Sequence, residues 1–353
     1  MWSYKQRMRL NPAHAIFDNN MFSQLRAILE LITPPSDLPV IDMSIGEPQM
    51  PPCQLLLDSV ARHNIAWQFY PKATGNQRFI GAVQGYIDRR WPAASQLADN
   101  TQIIPVPGTR EPLHLLGHLV AGTKSDAVAL VTNPFYHAWR AGALASNAEI
   151  QFLNCGANHN FLPDLAAIDS DILARTTILY LCSPTNPHGS IMDLDYLKTA
   201  LKLARQHDFL VVMDECYSDI WRETPPPGML EAAASLAKDA SGQDPLRNLV
   251  VLNSLSKRSS AAGLRAGFMV GDHGVITQYL KIVANGGSLV PTPLLEVAAD
   301  LYDDDNHVAA IRSYYNVNFD IASASLQLTP PEGGFFLWLK VDDDIDFVQR
   351  LMK

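Results

Sequence analysis

Charge is scarce in this chain of 353 residues, with Asp, Glu, Lys and Arg together making up 18% of it. What charge there is leans acidic, with 36 Asp and Glu against 27 Lys and Arg and a formal net charge of -9. A surface of that sign repels phosphate backbones and anionic lipid, so neither nucleic acid nor a membrane is expected as a partner. Cysteine is sparse too. Cys53, Cys155, Cys182 and Cys216 lie far apart and form no CxxC pair, which excludes a disulfide framework or a zinc ribbon and predicts a reducing, cytoplasmic setting. No stretch approaches the roughly 18 apolar residues that a membrane span needs, and residues 1–20 hold no apolar core of signal-peptide length. His114, His118, His137 and His188 have no paired ligand spacing, so no metal is expected. Internal repeats and low-complexity tracts are also missing.

Apolar residues, in contrast, amount to 47%, enough for a sizeable core, and the length suggests about two domains. Residues 21–32 have helical spacing and precede a proline-rich break, TPPSDLPV, and the strand-like VIDMSIGEP. From residue 101 onward, short apolar runs alternate with helical patterns. TQIIPV, DAVALVT, TTILYLCS, FLVVMD and NLVVLNS are rich in Val, Ile and Leu without polar alternation, as strands covered by helices on both faces are. The expected architecture is α/β, a mostly parallel central sheet flanked by helices. Past about residue 272 the pattern changes to long helices, including 294–302 and 307–326, and then one strand, GGFFLWLKV. That predicts a smaller α+β domain. The expected boundaries are an arm and part of the small domain over 1–45, a large domain over 46–275 and the small domain over 276–353.

Ligands of parallel sheets collect past the carboxyl ends of the strands, so the run ends carry the functional question. FLVVMDECY ends in Asp214, with Tyr217 three residues on; NLVVLNSLSK ends in Ser254, Ser256 and Lys257, with Arg265 eight residues after the lysine. SPTNPHG places Asn186 between prolines, and VPGTRE puts Gly108, Thr109 and Arg110 before a helix. Each alone has an ordinary explanation as a cap, turn or solvated loop residue. Gathered at one sheet edge, they make a site. A phosphate wants a helix start, hydroxyls and an arginine; a protonated ring nitrogen wants a carboxylate; an aldehyde wants an amine. Pyridoxal phosphate has all three groups.

The motifs also resemble a family. SLSKRSSAAGLRAGF resembles the lysine signature of the class I/II aminotransferases, which are fold-type I pyridoxal-phosphate enzymes, and SPTNPHG, VVMDECY, YPKATGN and VPGTRE resemble that family's other motifs in the same order. The resemblance implies that Lys257 is the Schiff-base lysine and proton carrier, that Asp214 pairs with the ring nitrogen, and that Tyr217 and Asn186 reach the ring hydroxyl oxygen. It further implies that Tyr136 stacks on the ring and that Gly108, Thr109, Arg110, Ser254 and Arg265 surround the phosphate. Tyr70 would reach the neighbouring site of a homodimer, while Gly46, with Asn186, would lie near the substrate. Ser256 is expected to be a turn residue, and Glu215 and Cys216 structural.

SIGEP, NPFY, GTRE and SLSKRS…GLR are, within the family, most similar to the N-succinyldiaminopimelate aminotransferases. This implies amino transfer between glutamate/2-oxoglutarate and a succinylated amino-keto acid of lysine biosynthesis. A lyase using the same cofactor, or a cofactor-binding protein without catalysis, are the alternatives. In the family, a further helix, strands and a carboxylate-gripping arginine follow the strand that GGFFLWLKV matches, whereas this sequence ends at DFVQRLMK. Either a fragment or a shortened protein is therefore expected.

Overall fold

A computed structural model describes residues 21–35, 37, 39–95, 97–237 and 244–353; the first twenty residues of the expected arm lie outside the described residues. The chain divides into two compact units, Met1–Gly46 with Trp338–Lys353, and Glu47–Leu337. In the smaller unit, α1 (Met21–Leu29) stops short of the expected residue 32, and the last helix, α13 (Asp344–Leu351), starts where the Asp343 carboxylate accepts from the Asp346 amide at 2.8 Å. The strand-like VIDMSIGEP forms no strand.

The larger unit is built on one seven-stranded sheet, with strands β1 (Ile103–Val106), β2 (Val128–Asn133), β3 (Glu149–Asn154), β4 (Thr176–Cys182), β5 (Leu210–Asp214), β6 (Leu249–Ser254) and β7 (Gly267–Gly271). Their order is β1-β7-β6-β5-β4-β2-β3; β6, β5, β4, β2 and β3 run parallel, and β7 runs antiparallel to both β6 and β1. The sequence patterns missed β3 and β7. The side chains of β3, at the sheet edge, are largely exposed, and β7 is a short GFMVG with a glycine at each end.

Alternation along the buried strands feeds two cores. Leu179, Leu181, Val211, Met213, Leu249 and Val251 face one side, and Ile178, Tyr180, Val212, Val250 and Leu252 the other. The first face is covered by α3 (Gln77–Arg90), α7 (Leu194–His207), α8 (Met229–Ala237) and α11 (Thr292–Asp303), the second by α4 (Arg110–Leu119), α5 (His137–Ala145) and α10 (His273–Gly286). Three further helices are α2 (Gln54–Arg62), α6 (Ser170–Arg175) and α12 (Asn306–Leu326). The sequence explains helix α7 directly. Its buried Leu197, Ala200, Leu201 and Ala204 repeat at three and four residues, Asp193 caps its start by accepting from the Tyr196 amide, and Asp208 ends it in the left-handed region at φ 51°.

The boundary expected at residue 275 does not coincide with this division, because α11 sinks Leu295, Val297, Ala298 and Ala299 into the core beneath α3 and so stays with the sheet. The strand expected at GGFFLWLKV is a correction as well. Residues 333–341 form only a single bridge, Gly333 with Trp221. The Gly334 amide donates to the Ile220 carbonyl at 2.8 Å and the Arg222 amide to the Glu332 carbonyl at 3.0 Å, the two bonds of that bridge, while the Gly333 amide turns to the Gly189 carbonyl at 2.9 Å, and the pairing goes no further.

Candidate active site

Strand register brings the chemistry-bearing residues to one edge of the sheet. Cys182 at the end of β4 pairs with Asp214 at the end of β5, and Asp214 pairs with Leu252, two residues before the end of β6. Because β7 is antiparallel, its first residue sits at that same edge: Gly267 opposes Ser254 on one side and Val106, the last residue of β1, on the other. Arg265, just before β7, therefore returns to the place where Pro107, Gly108 and Thr109 leave β1. This return explains why an arginine eight residues past the lysine can share its site.

Asp214 is 3% exposed, and its Oδ1 accepts from the Cys216 amide at 3.3 Å. Burial pushes its carboxyl above the usual range, and the contacts with Cys216 oppose that. Lys257 lies on α9 (Leu255–Arg258), with Nζ 5.3 Å from the centre of the Phe335 ring. Burial lowers its pKa, against the pull of Glu47 and Asp214 in the other direction. Tyr217 is nearly buried, its ring edge-on to Phe335 at 5.5 Å and to Phe336 at 5.6 Å, and burial drives its phenol well above the ordinary value. The same Phe335 thus walls both the amine and the phenol.

A cradle lies beside them. Gly108 takes φ 76°, a left-handed conformation that favours glycine, and a Cβ there would come 2.3 Å from Nη2 of Arg265. That guanidinium donates to the Pro107 carbonyl at 3.0 Å, the Ala262 carbonyl at 2.8 Å and Ser256 Oγ at 3.4 Å. Ser254 Oγ accepts from the Ser256 amide at 3.1 Å and donates to Ser256 Oγ at 2.9 Å, so Ser256, expected only as a turn residue, belongs to the cradle. Thr109 stands at the N-cap of α4, yet its hydroxyl meets Cys216 Sγ at 3.3 Å and caps no amide. The amides of the first turn of α4 are left without a side-chain partner at the cap, which suits an anion. Cys216, expected as structural, links this cradle to the Asp214 loop.

Tyr136 precedes α5, and its hydroxyl accepts from Arg110 Nε at 3.3 Å. Burial raises its pKa, against the pull of Arg110 in the other direction. Asn186 is half-buried in the loop that leaves β4. Tyr70, expected to reach the site of a neighbouring copy, is 98% exposed, and Gly46 belongs to the smaller unit.

An amine with lowered pKa, a buried carboxylate and an anion cradle thus stand together on adjoining strands. A family model described as aminotransferase class I and II matches residues 39–353. The chain belongs to the class I and II aminotransferases. An aminotransferase from Neisseria meningitidis superposes with a TM-score of 0.86 at 31% identity, covering 94% of this chain and 84% of that one. The aminotransferase AspB of Helicobacter pylori does so with a TM-score of 0.86 at 29% identity, covering 98% and 87%. In sequence, an LL-diaminopimelate aminotransferase of Aquifex aeolicus is 26% identical over 100% of this chain and 89% of its own. A probable aminotransferase of Mycobacterium tuberculosis is 29% identical over 85% and 67%.

The cofactor of this aminotransferase is pyridoxal phosphate, and the donor set fits it. A carboxylate raised by burial gains from a cationic ring nitrogen, and an amine whose pKa burial lowers gives up its proton more readily and so becomes a nucleophile more readily. The uncapped start of α4 beside Arg265 and two serine hydroxyls suits a phosphate. Among the described residues no helix is long and apolar enough to cross a membrane.

Proposed function

We propose that this aminotransferase moves an amino group from a diaminopimelate-type amino acid to 2-oxoglutarate, or in reverse, with Lys257 as the residue that holds the cofactor and carries the proton. One observation supports the assignment of roles above all. Lys257 and Asp214 reach the same edge from neighbouring strands, Asp214 buried and Lys257 half-buried, and each is shifted toward its neutral form, as an amine awaiting an aldehyde and an acid awaiting a cation would be. Bound pyridoxal phosphate supplies an electron sink for the substrate Cα.

The chain's own residues do the rest. The Asp214 carboxylate holds a proton on the ring nitrogen, and its burial strengthens that pairing. The Tyr217 hydroxyl and the Asn186 amide would bind the ring hydroxyl oxygen, and Tyr136 would cover a ring face. Gly108, Thr109, Arg110, Ser254 and Arg265 would hold the phosphate. Lys257 Nζ, once free, moves the proton at the substrate Cα, and its lowered pKa favours the base form that does so. Phe335 and Phe336 exclude water from that exchange. Tyr70, almost wholly exposed, would complete the site of a neighbouring copy, and Gly46 would meet the substrate.

Relatives named for LL-diaminopimelate support the free amino acid as substrate, while the SLSKRS and SIGEP motifs favour its N-succinyl form. The experiment presents both compounds, each with and without 2-oxoglutarate, and follows glutamate. Glutamate formed from either one supports transamination and identifies the form. Consumption of the amino compound without 2-oxoglutarate would instead indicate lyase chemistry. No visible band and no conversion of the bound aldehyde to its amine form would defeat the proposal.

A further inference from the structure

Arg258, the residue after the lysine, is 1% exposed, and nothing above has used it. Successive helix residues point about 100° apart, so with Lys257 turned toward Phe335, Arg258 turns into the core behind the site. There its Nη1 donates to the Leu301 carbonyl at 2.8 Å and its Nη2 to Asp305 Oδ1 at 2.8 Å, while Nε stands 3.1 Å from Asp219 Oδ2. The guanidinium also lies over the rings of Tyr86 at 5.0 Å and Tyr302 at 5.5 Å.

Asp219 closes the loop that begins at Asp214 and contains Tyr217. It is 6% exposed, its Oδ2 accepts from the Tyr86 hydroxyl at 2.9 Å, and its Oδ1 stands 3.6 Å from Arg90 Nε. Its own backbone carbonyl accepts from Arg312 at 3.3 Å. The Arg258–Asp219 pair therefore joins, from behind, the loop carrying the amine and the loop carrying the acid and the phenol.

We propose that Arg258 is the positioning residue for Lys257, holding α9 in the rotation that aims Nζ at the site and tying it through Asp219 to the Asp214–Tyr217 loop. Helix α9 has four residues, too few to hold itself by its own hydrogen bonds. Leu255 anchors one of its faces, and the Ser254–Ser256 contacts fix only its start. A buried charge pair adds little net stability over a well-packed apolar one but defines a single geometry, the property an aimed amine needs. The inference rests on the reading of Lys257 as the cofactor-bearing residue.

The test uses full-length Arg258→Met, Arg258→Lys and Asp219→Asn proteins, with the remote surface variant Arg78→Met as a control for lost stability. Three quantities are read: the pH midpoint of the visible cofactor band, cofactor affinity on titrating stripped protein, and the single-turnover rate with KM. The expected result for Arg258→Met is a displaced midpoint and a rate lowered roughly tenfold or more with KM changed less than about threefold, as lost orientation demands. Arg258→Lys is expected to recover part of this, and Arg78→Met to leave all three unchanged. Should Arg258→Met fail to fold, Asp219→Asn, which keeps its volume, decides by the same readings. A lowered melting temperature with midpoint, affinity and rate all as in wild type overturns the role of Arg258 alone. A wild-type protein lacking a band that Lys257→Ala abolishes overturns the reading of Lys257 and this inference with it.

Discussion

Nη2 of Arg265 stands where any side chain on residue 108 would have to begin, 2.3 Å from the Cβ that glycine lacks. Glycine there serves two ends at once, since the φ of 76° is the one L side chains resist and the missing methylene lets the guanidinium close over the start of α4. Gly108→Ala is expected to cost about 1 kcal/mol of stability from the backbone conformation. It should also weaken cofactor binding roughly tenfold by displacing a charge-assisted contact. Spectroscopic titration of the stripped protein measures the second effect separately from melting.

Helices α4 and α5 meet at glycines. A Cβ at Gly117 would lie 1.9 Å from the Gly142 carbonyl oxygen, and one at Gly142 2.2 Å from that of Leu113. Since α4 starts at the cradle and α5 follows Tyr136, this close approach sets the spacing of two parts of the site. Gly117→Ala should destabilise by about 2–3 kcal/mol by forcing the helices apart. Gly81→Ala, at an exposed position of α3 with open space around it, should stabilise by about 0.5–1 kcal/mol. Urea unfolding of the pair, with opposite signs, checks the packing.

Lys257 meets the aldehyde as a neutral amine, and burial lowers its pKa below the ordinary lysine value. The rate of cofactor capture should therefore rise with pH through a midpoint below that of an exposed lysine. In the cofactor-free protein, the protonated form is disfavoured by folding, so this residue destabilises at low pH and its cost is relieved as pH rises toward the unfolded value. Stopped-flow capture at constant ionic strength gives the midpoint; a midpoint at the ordinary lysine value would contradict the burial.

Glu215 lies beside Asp214 with its carboxyl buried and pushed up to about 8, chiefly by loss of water, while its Oε1 accepts from the Met229 amide at 2.8 Å at the start of α8. A raised folded-state pKa means the folded protein holds the proton that the unfolded chain has already released. The stability of the native state should thus fall as pH climbs from the usual glutamate range through about 8. Glu215→Gln keeps an acceptor for Met229 and should flatten that dependence, seen as melting temperatures that converge with wild type at acid pH and exceed it above neutrality.

Much of this was legible in the order of residues. Apolar runs without polar alternation mark β2, β4, β5 and β6 because strands buried on both faces have no side to show water, and the polar residues that end those runs are the ones the sheet edge gathers. Strand β3 escaped because its side chains are half in water, and β7 because its five residues begin and end in glycine. The stretch 333–341 has a strand's composition and yet forms none, since a strand exists only by pairing and its pairing ends at the single bridge of Gly333 with Trp221.

The chemistry, then, follows from composition and spacing: which residue types can supply an amine, a carboxylate, a phenol and an anion cradle at the ends of apolar runs. Only tertiary structure decides that Arg265 rejoins Gly108, through an antiparallel strand whose direction no local pattern reveals. It alone also joins Ser256 to Arg265, Cys216 to Thr109 and Arg258 to Asp219, because such contacts are made between separate segments of the chain and are settled when the sheet closes.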